Sequence, residues 1–209
     1  MMTEKAHATA RRKIRMASRR AKLHLPIALP ALFALTDPDR TPDPLALARG
    51  LPRGSGIIYR HFGADDRLSV ALGLSRIART RKLTLLIGND PALACRVGAD
   101  GVHWSEQRRQ EARKWRTRFS VMTCAAHSKR ALAGAIVCPC NAALYSTVFA
   151  SKSASASNPV GALRFRSIAG QSRLPVYALG GVTSDTINRV AAFSGGAGIE
   201  GLSMFARLD

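Results

Sequence analysis

The twenty residues Leu85–Trp104, LLIGNDPALACRVGADGVHW, leave the chain few ways to fold. LLIG is a continuous apolar run, which a strand buried on both faces requires. Asp90 followed by Pro91 supplies an N-cap and a first-turn proline, and Gly98 supplies the helix stop before the next apolar run, GVHW. Strand, helix and strand in so short a span predict one βα unit of a parallel sheet. Asn89, Asp90 and His103 then fall at or just beyond the C-terminal ends of strands, the edge where parallel α/β folds carry their chemistry.

The same grammar recurs along the chain. Apolar runs predict strands at Ala31–Thr36, Gly56–Arg60, Leu83–Gly88, Gly101–Trp104, Phe119–Ala125, Ala142–Phe149, Leu174–Gly181 and Gly198–Phe205. Between them, segments such as Asp66–Thr80 and Ser128–Val137 repeat apolar residues at helical spacing, and Thr183 or Ser184 can cap a helix expected from about Asp185. Eight strands alternating with helices favour a closed (β/α)8 TIM barrel over a doubly wound sheet. At 209 residues it is a compact one, because such barrels typically take about 250. Few residues follow Phe205, so the last helix is expected to be truncated. Residues 1–24 read as a basic N-terminal extension and residues 25–209 as a single barrel domain. Ile14, Ala17 and Ala21 share one helical face, which suits a helix over about residues 6–22 filling the place of the truncated one, in the same chain or a partner's; a disordered basic arm is the alternative.

Charge is the property this fold does not require. Of the formal net +19, residues 1–24 contribute eight Lys and Arg against one Glu, and the remainder is still strongly basic. A basic barrel suits a phosphorylated ligand and speeds its capture. The Arg-rich tail resembles a transit peptide or a nucleic-acid arm, but no segment carries a recognisable nucleic-acid fold motif, so nucleic acid is a disfavoured partner resting on charge alone. No run approaches the roughly 18 apolar residues of a membrane span. Cys95, Cys124, Cys138 and Cys140 form no C-x-x-C pair, so free thiols in a reducing, cytoplasmic setting are expected, with no membrane partner.

Three groups of residues have chemistry to offer. Gly180–Gly181 at the end of the seventh run and Ser203 in the eighth stand where barrels of this class bind phosphate, since glycine lets backbone N–H groups approach an anion closely. Arg60 interrupts an apolar strand, and an unpaired buried guanidinium is costly, so its partner is a ligand anion or a carboxylate such as Asp37. His127, just after the fifth run, is placed for proton transfer, because imidazole titrates near neutrality. Blander readings stand beside these: Asp90 as a helix cap, Asn89 as a loop tie, His103 as a satisfied interior histidine, and His127 as an exposed residue at a helix start.

From about Leu32 to Phe205 the chain resembles the thiamine phosphate synthase and TenI-like thiazole tautomerase barrels. LFALTD, Arg60, GNDPALACRVGADGVHW, CAAHS, YSTVF, ALGGV and GLSMF carry the likeness in order. The resemblance implies a phosphorylated thiazole as substrate, with Gly180, Gly181 and Ser203 on the phosphate and Arg60, Asn89, His103 and Lys152 in substrate binding. For a synthase, which joins a pyrimidine diphosphate to a thiazole phosphate, it implies magnesium with Asp90 among its ligands. For a tautomerase it implies His127 as the acid/base group and no cofactor.

Departures from the synthase pattern decide between these. Where the resemblance has Q-x-R-x-K this chain has Ile58, Tyr59, Arg60, His61 and Phe62. Where it has G-Q-x-D after GVH and the next residue, this chain has Ser105, Glu106, Gln107 and Arg108, so a cation replaces the magnesium-binding aspartate. Ala125 replaces a serine and Lys152 is displaced by two positions. The reading is therefore a cofactor-free tautomerase acting on a small phosphorylated thiazole. The synthase is the alternative, and a non-catalytic phosphate-ligand or nucleic-acid binding protein the second. A homodimer is left open.

Overall fold

The computed structural model describes residues 4–151 and 158–198, together with Leu202 and Phe205. Eight parallel strands close on themselves in sequence order: β1 (Leu32–Leu35), β2 (Gly56–Tyr59), β3 (Thr84–Gly88), β4 (Gly101–Trp104), β5 (Val121–Ala126), β6 (Ala142–Tyr145), β7 (Val176–Ala178) and β8 (Gly195–Gly198), with β8 paired to β1. Around them lie the helices α1 (Glu4–Lys22), α2 (Pro44–Gly50), α3 (Arg67–Arg81), α4 (Pro91–Val97), α5 (Lys129–Ile136) and α6 (Gly161–Gly170), and 3₁₀ segments at Arg109–Trp115 and Ile187–Arg189. The (β/α)8 expectation holds.

Local chemistry sets the helix starts. Asp43 and Asp90 accept hydrogen bonds from Ala46 N and Leu93 N ahead of prolines at the first helical position, and Ser128 accepts from Ala131 N. Leu29, Phe33, Leu35, Ile58, Leu86, Leu144 and Tyr177 fill the barrel interior, while a larger apolar layer joins strands to helices. Phe33 and Tyr177 meet edge to face at 5.2 Å, and the Tyr177 hydroxyl donates to Pro30 O at 2.6 Å.

That aromatic pair corrects one expectation. The eighth strand is Gly195–Gly198, not the apolar run Gly198–Phe205. A Cβ at Gly195 would stand 2.2 Å from the Tyr177 ring and one at Gly196 3.2 Å from Ile187 Cδ1, so neither position has ready room for a side chain. Leu202 and Phe205 are buried beyond it. β6 and β7 also stop short of their apolar runs. The residues that follow, Ser146–Phe149 and Leu179–Gly181, leave the sheet as loops at the barrel mouth.

The helix expected from Asp185 is also corrected, to the single 3₁₀ turn Ile187–Arg189. Thr186 Oγ1 donates to Gly181 O at 2.8 Å and accepts from Thr183 N at 2.8 Å. Side-chain bonds of this kind compete with a helical ladder, in a stretch already rich in β-branched residues. At the other end of the chain, α1 buries Ala10, Ile14, Ala17 and Ala21 and lies against β8 and the 3₁₀ turn Ile187–Arg189. No helix among the described residues is long and apolar enough to cross a membrane.

Candidate active site at the barrel mouth

The C-terminal strand ends enclose a cavity of about 400 Å³. Arg60, Asn89, His103 and His127 line one part of it, and Thr147, Gly180 and Gly181 another. Sequence reasoning had singled out six of these seven. Lys152 and Ser203 lie outside the described residues.

At the glycine end, Gly180 and Gly181 have φ of 89° and 61°, the left-handed region that favours glycine. Space forbids a side chain as well, since a Cβ would stand 2.8 Å from Thr147 Cγ2 at Gly180 and 2.3 Å from Ala150 O at Gly181. Among the described residues the N–H groups of Gly181 and Val182 have no acceptor, which leaves donors for an anion. With no α-helix following, this turn offers backbone amides and not a helix N-terminus.

Arg60 finds the carboxylate that sequence suggested, Asp37, together with a backbone oxygen that it did not. Its Nε donates to Thr36 O at 3.0 Å, and Nη2 lies 3.7 Å from Asp37 Oδ2, which also pairs with Arg40 at 2.7 Å. Two guanidiniums around one carboxylate leave net positive charge at the cavity wall.

The two histidines differ in their neighbours. His103 on β4 is buried, with Nδ1 2.8 Å from Thr123 Oγ1 on β5, its partner in register. Burial, reinforced by the charges of Arg60 and His127, pushes its pKa down to about 3, so it is a neutral imidazole. His127, just past β5, is half-exposed and has Nδ1 2.9 Å from Glu106 Oε2. Burial works against ionisation of Glu106, but the hydrogen bonds from His127 outweigh it and hold the carboxyl below its ordinary value. Sequence reasoning missed Glu106 and Thr123, because each acts through a residue on the neighbouring strand.

Asn89 sits at φ 52° and accepts from Ser105 N at 2.7 Å, so it ties the end of β3 to the end of β4 and not to its own loop. Asp90 caps α4 through Oδ1 and pairs through Oδ2 with Arg67 Nη1 at 2.5 Å. Arg108 makes two bonds to Glu111, at 2.7 and 2.8 Å, and one to Asn89 O at 2.9 Å.

The family model described as thiamine monophosphate synthase matches residues 44–208. The chain belongs to the thiamine phosphate synthase/TenI family. Among relatives, "Putative thiamine-phosphate synthase 2" of Aquifex aeolicus (strain VF5) is 29% identical over 183 residues, 85% of this chain and 98% of the relative. The thiamine-phosphate synthase of Methylococcus capsulatus (strain Bath) is 36% identical over 87 residues, 39% of this chain and 38% of its own. The solved thiamine phosphate pyrophosphorylase from Pyrococcus furiosus superposes with a TM-score of 0.70 at 19% identity, covering 90% of this chain and 97% of that one, a likeness of fold.

The magnesium that the synthases of this family use meets an unsuitable donor set here. Asp90 has one oxygen committed to the helix cap and the other to Arg67, and Arg108 adds a second cation beside it. Among the described residues, no three His, Cys, Asp or Glu side chains are grouped to hold a metal ion. Hard divalent cations need several oxygen ligands and few nearby positive charges, so the residues present do not fit the ion.

Proposed function

We propose that this family member is a TenI-like thiazole tautomerase, which aromatises a phosphorylated thiazole carboxylate by moving a proton, without a metal. The observation that carries the reading is the His127–Glu106 pair in the same cavity as the Gly180–Gly181 turn. Such a reaction needs an anchor for the phosphate and one acid/base group. The amides after Gly180, with Ser203, are assigned the phosphate. Arg60, Asn89, His103 and Lys152 are assigned the rest of the substrate. His127 takes a proton from the thiazole ring and returns one elsewhere on it, so the product is an isomer and nothing is left over.

The relatives' names favour a second reading, the joining of a pyrimidine diphosphate to a thiazole phosphate. One comparison of purified protein decides. Thiazole carboxylate phosphate is followed optically with and without a chelator, in parallel with the two synthase substrates plus magnesium. We expect isomerisation that persists in the chelator. Activity confined to the joining reaction, abolished by chelation and restored by magnesium, would establish the synthase instead.

A further inference from the structure

Glu106 stands in the loop after β4 and reaches the end of β5. Its Oε2 receives two hydrogen bonds from a single residue, the backbone N–H of His127 at 3.1 Å and ring Nδ1 at 2.9 Å. A carboxylate can only accept, so the ring nitrogen it meets must donate. In the neutral ring Nδ1 therefore carries the proton, and Nε2, which has no partner among the described residues, keeps its lone pair.

The carboxylate is itself held in place. Arg109 Nη1 donates to the Glu106 carbonyl at 2.5 Å, and the Arg109 side chain lies across Gly134 of α5, where a Cβ would stand 2.4 Å from Nη2. The glycine thus gives the guanidinium room to fix the loop that carries Glu106. At this position the resembling synthases have glutamine, which is neutral and also brings an NH2 group that cannot accept.

We propose that Glu106 is a positioning residue of the proton-transfer site, locking His127 as the Nδ1–H tautomer so that Nε2 is the basic nitrogen offered to substrate. This rests on the tautomerase reading. Without Glu106 the ring could turn or exchange tautomers, and the base would face the substrate only part of the time.

Nitrogen-15 spectra of the histidine rings in the full chain test the lock directly, at about pH 9, where an ordinary imidazole is neutral. The chain has five histidines, so the His127 signals are assigned by their disappearance in His127→Ala. The expected spectrum has a protonated Nδ1 and a bare Nε2. Glu106→Gln retains it and Glu106→Ala converts it to a mixture. Kinetically, Glu106→Ala is expected to lower kcat on thiazole carboxylate phosphate by up to about tenfold with KM within about twofold, and Glu106→Gln to recover most of the loss. A wild-type His127 protonated on Nε2, or a Glu106→Ala protein with wild-type spectrum and kcat, overturns the proposal. The expected spectra in a protein that turns over no thiazole carboxylate phosphate would remove the tautomerase reading and leave the lock standing. Turnover by a protein with an unlocked ring would do the reverse.

Discussion

His103 and His127 share one cavity, and their partners give them opposite work. A hydroxyl holds His103 in a buried place, and a carboxylate holds His127 where water and substrate can reach it. Replacing His127 by alanine is expected to cost about 10²- to 10⁴-fold in kcat while the Kd for thiazole phosphate, measured by calorimetry, stays within about threefold. Equal losses in both would make it a binding residue. His103 leaves its mark on stability. Its folded pKa of about 3 lies below the ordinary 6.5, so on acidification the unfolded chain takes up the proton first. Above the ordinary value this group has no effect on stability. Below it, down to the folded value, stability falls with a slope approaching about 1.4 kcal/mol per pH unit, or about 2 kcal/mol between pH 6.5 and 5. Urea unfolding of His103→Gln at about pH 7 and pH 5 should show a loss smaller by that amount; an identical loss would mean that His103 takes up its proton while folded.

At the scale of elements, α1 is the piece with most to prove. Its apolar face, centred on the fully buried Ile14, lies against β8. Ile14→Ala is expected to cost about 2–5 kcal/mol, read as a fall in Tm. Removing residues 1–22 should lower Tm further or cost soluble protein, and an unchanged melting curve would show that α1 covers nothing. The strands at β1 to β5 were readable in sequence because burial on both faces demands unbroken apolar runs, as in LTLLIG. β8 was not, because its composition is set by contacts from elsewhere in the chain: the Tyr177 ring on the paired strand leaves no room for a side chain at Gly195, and Ile187 and Val182 crowd Gly196 and Gly198. The candidate site divides in the same way. Arg60 announced itself as a charge among apolar neighbours, and Gly180–Gly181 as a pair at a strand end. Glu106 gave no local signal, since its meaning comes from a residue 21 positions later, just past the next strand. Asp90 gave two signals at once, and the pairing with Arg67 that separates them is a contact between distant parts of the chain.

For the molecule as a whole, a net charge of +19 spread over a closed barrel favours the approach of a dianionic ligand from any side, and the cavity mouth is where that approach can end. The interior beneath it is filled by Phe33, Tyr177 and their apolar neighbours. Among the described residues the cavity therefore has no passage through the barrel beneath it, and the strand ends are its doorway. On the proposed reading, a product that keeps the phosphate keeps its grip on the Gly180–Gly181 turn as it leaves. An isomer that differs from its precursor only in where a proton sits should then occupy the enzyme almost as readily as the precursor does. Progress curves with added product are expected to show purely competitive inhibition, with an inhibition constant near KM. A mixed pattern would mean that substrate and product can be bound together.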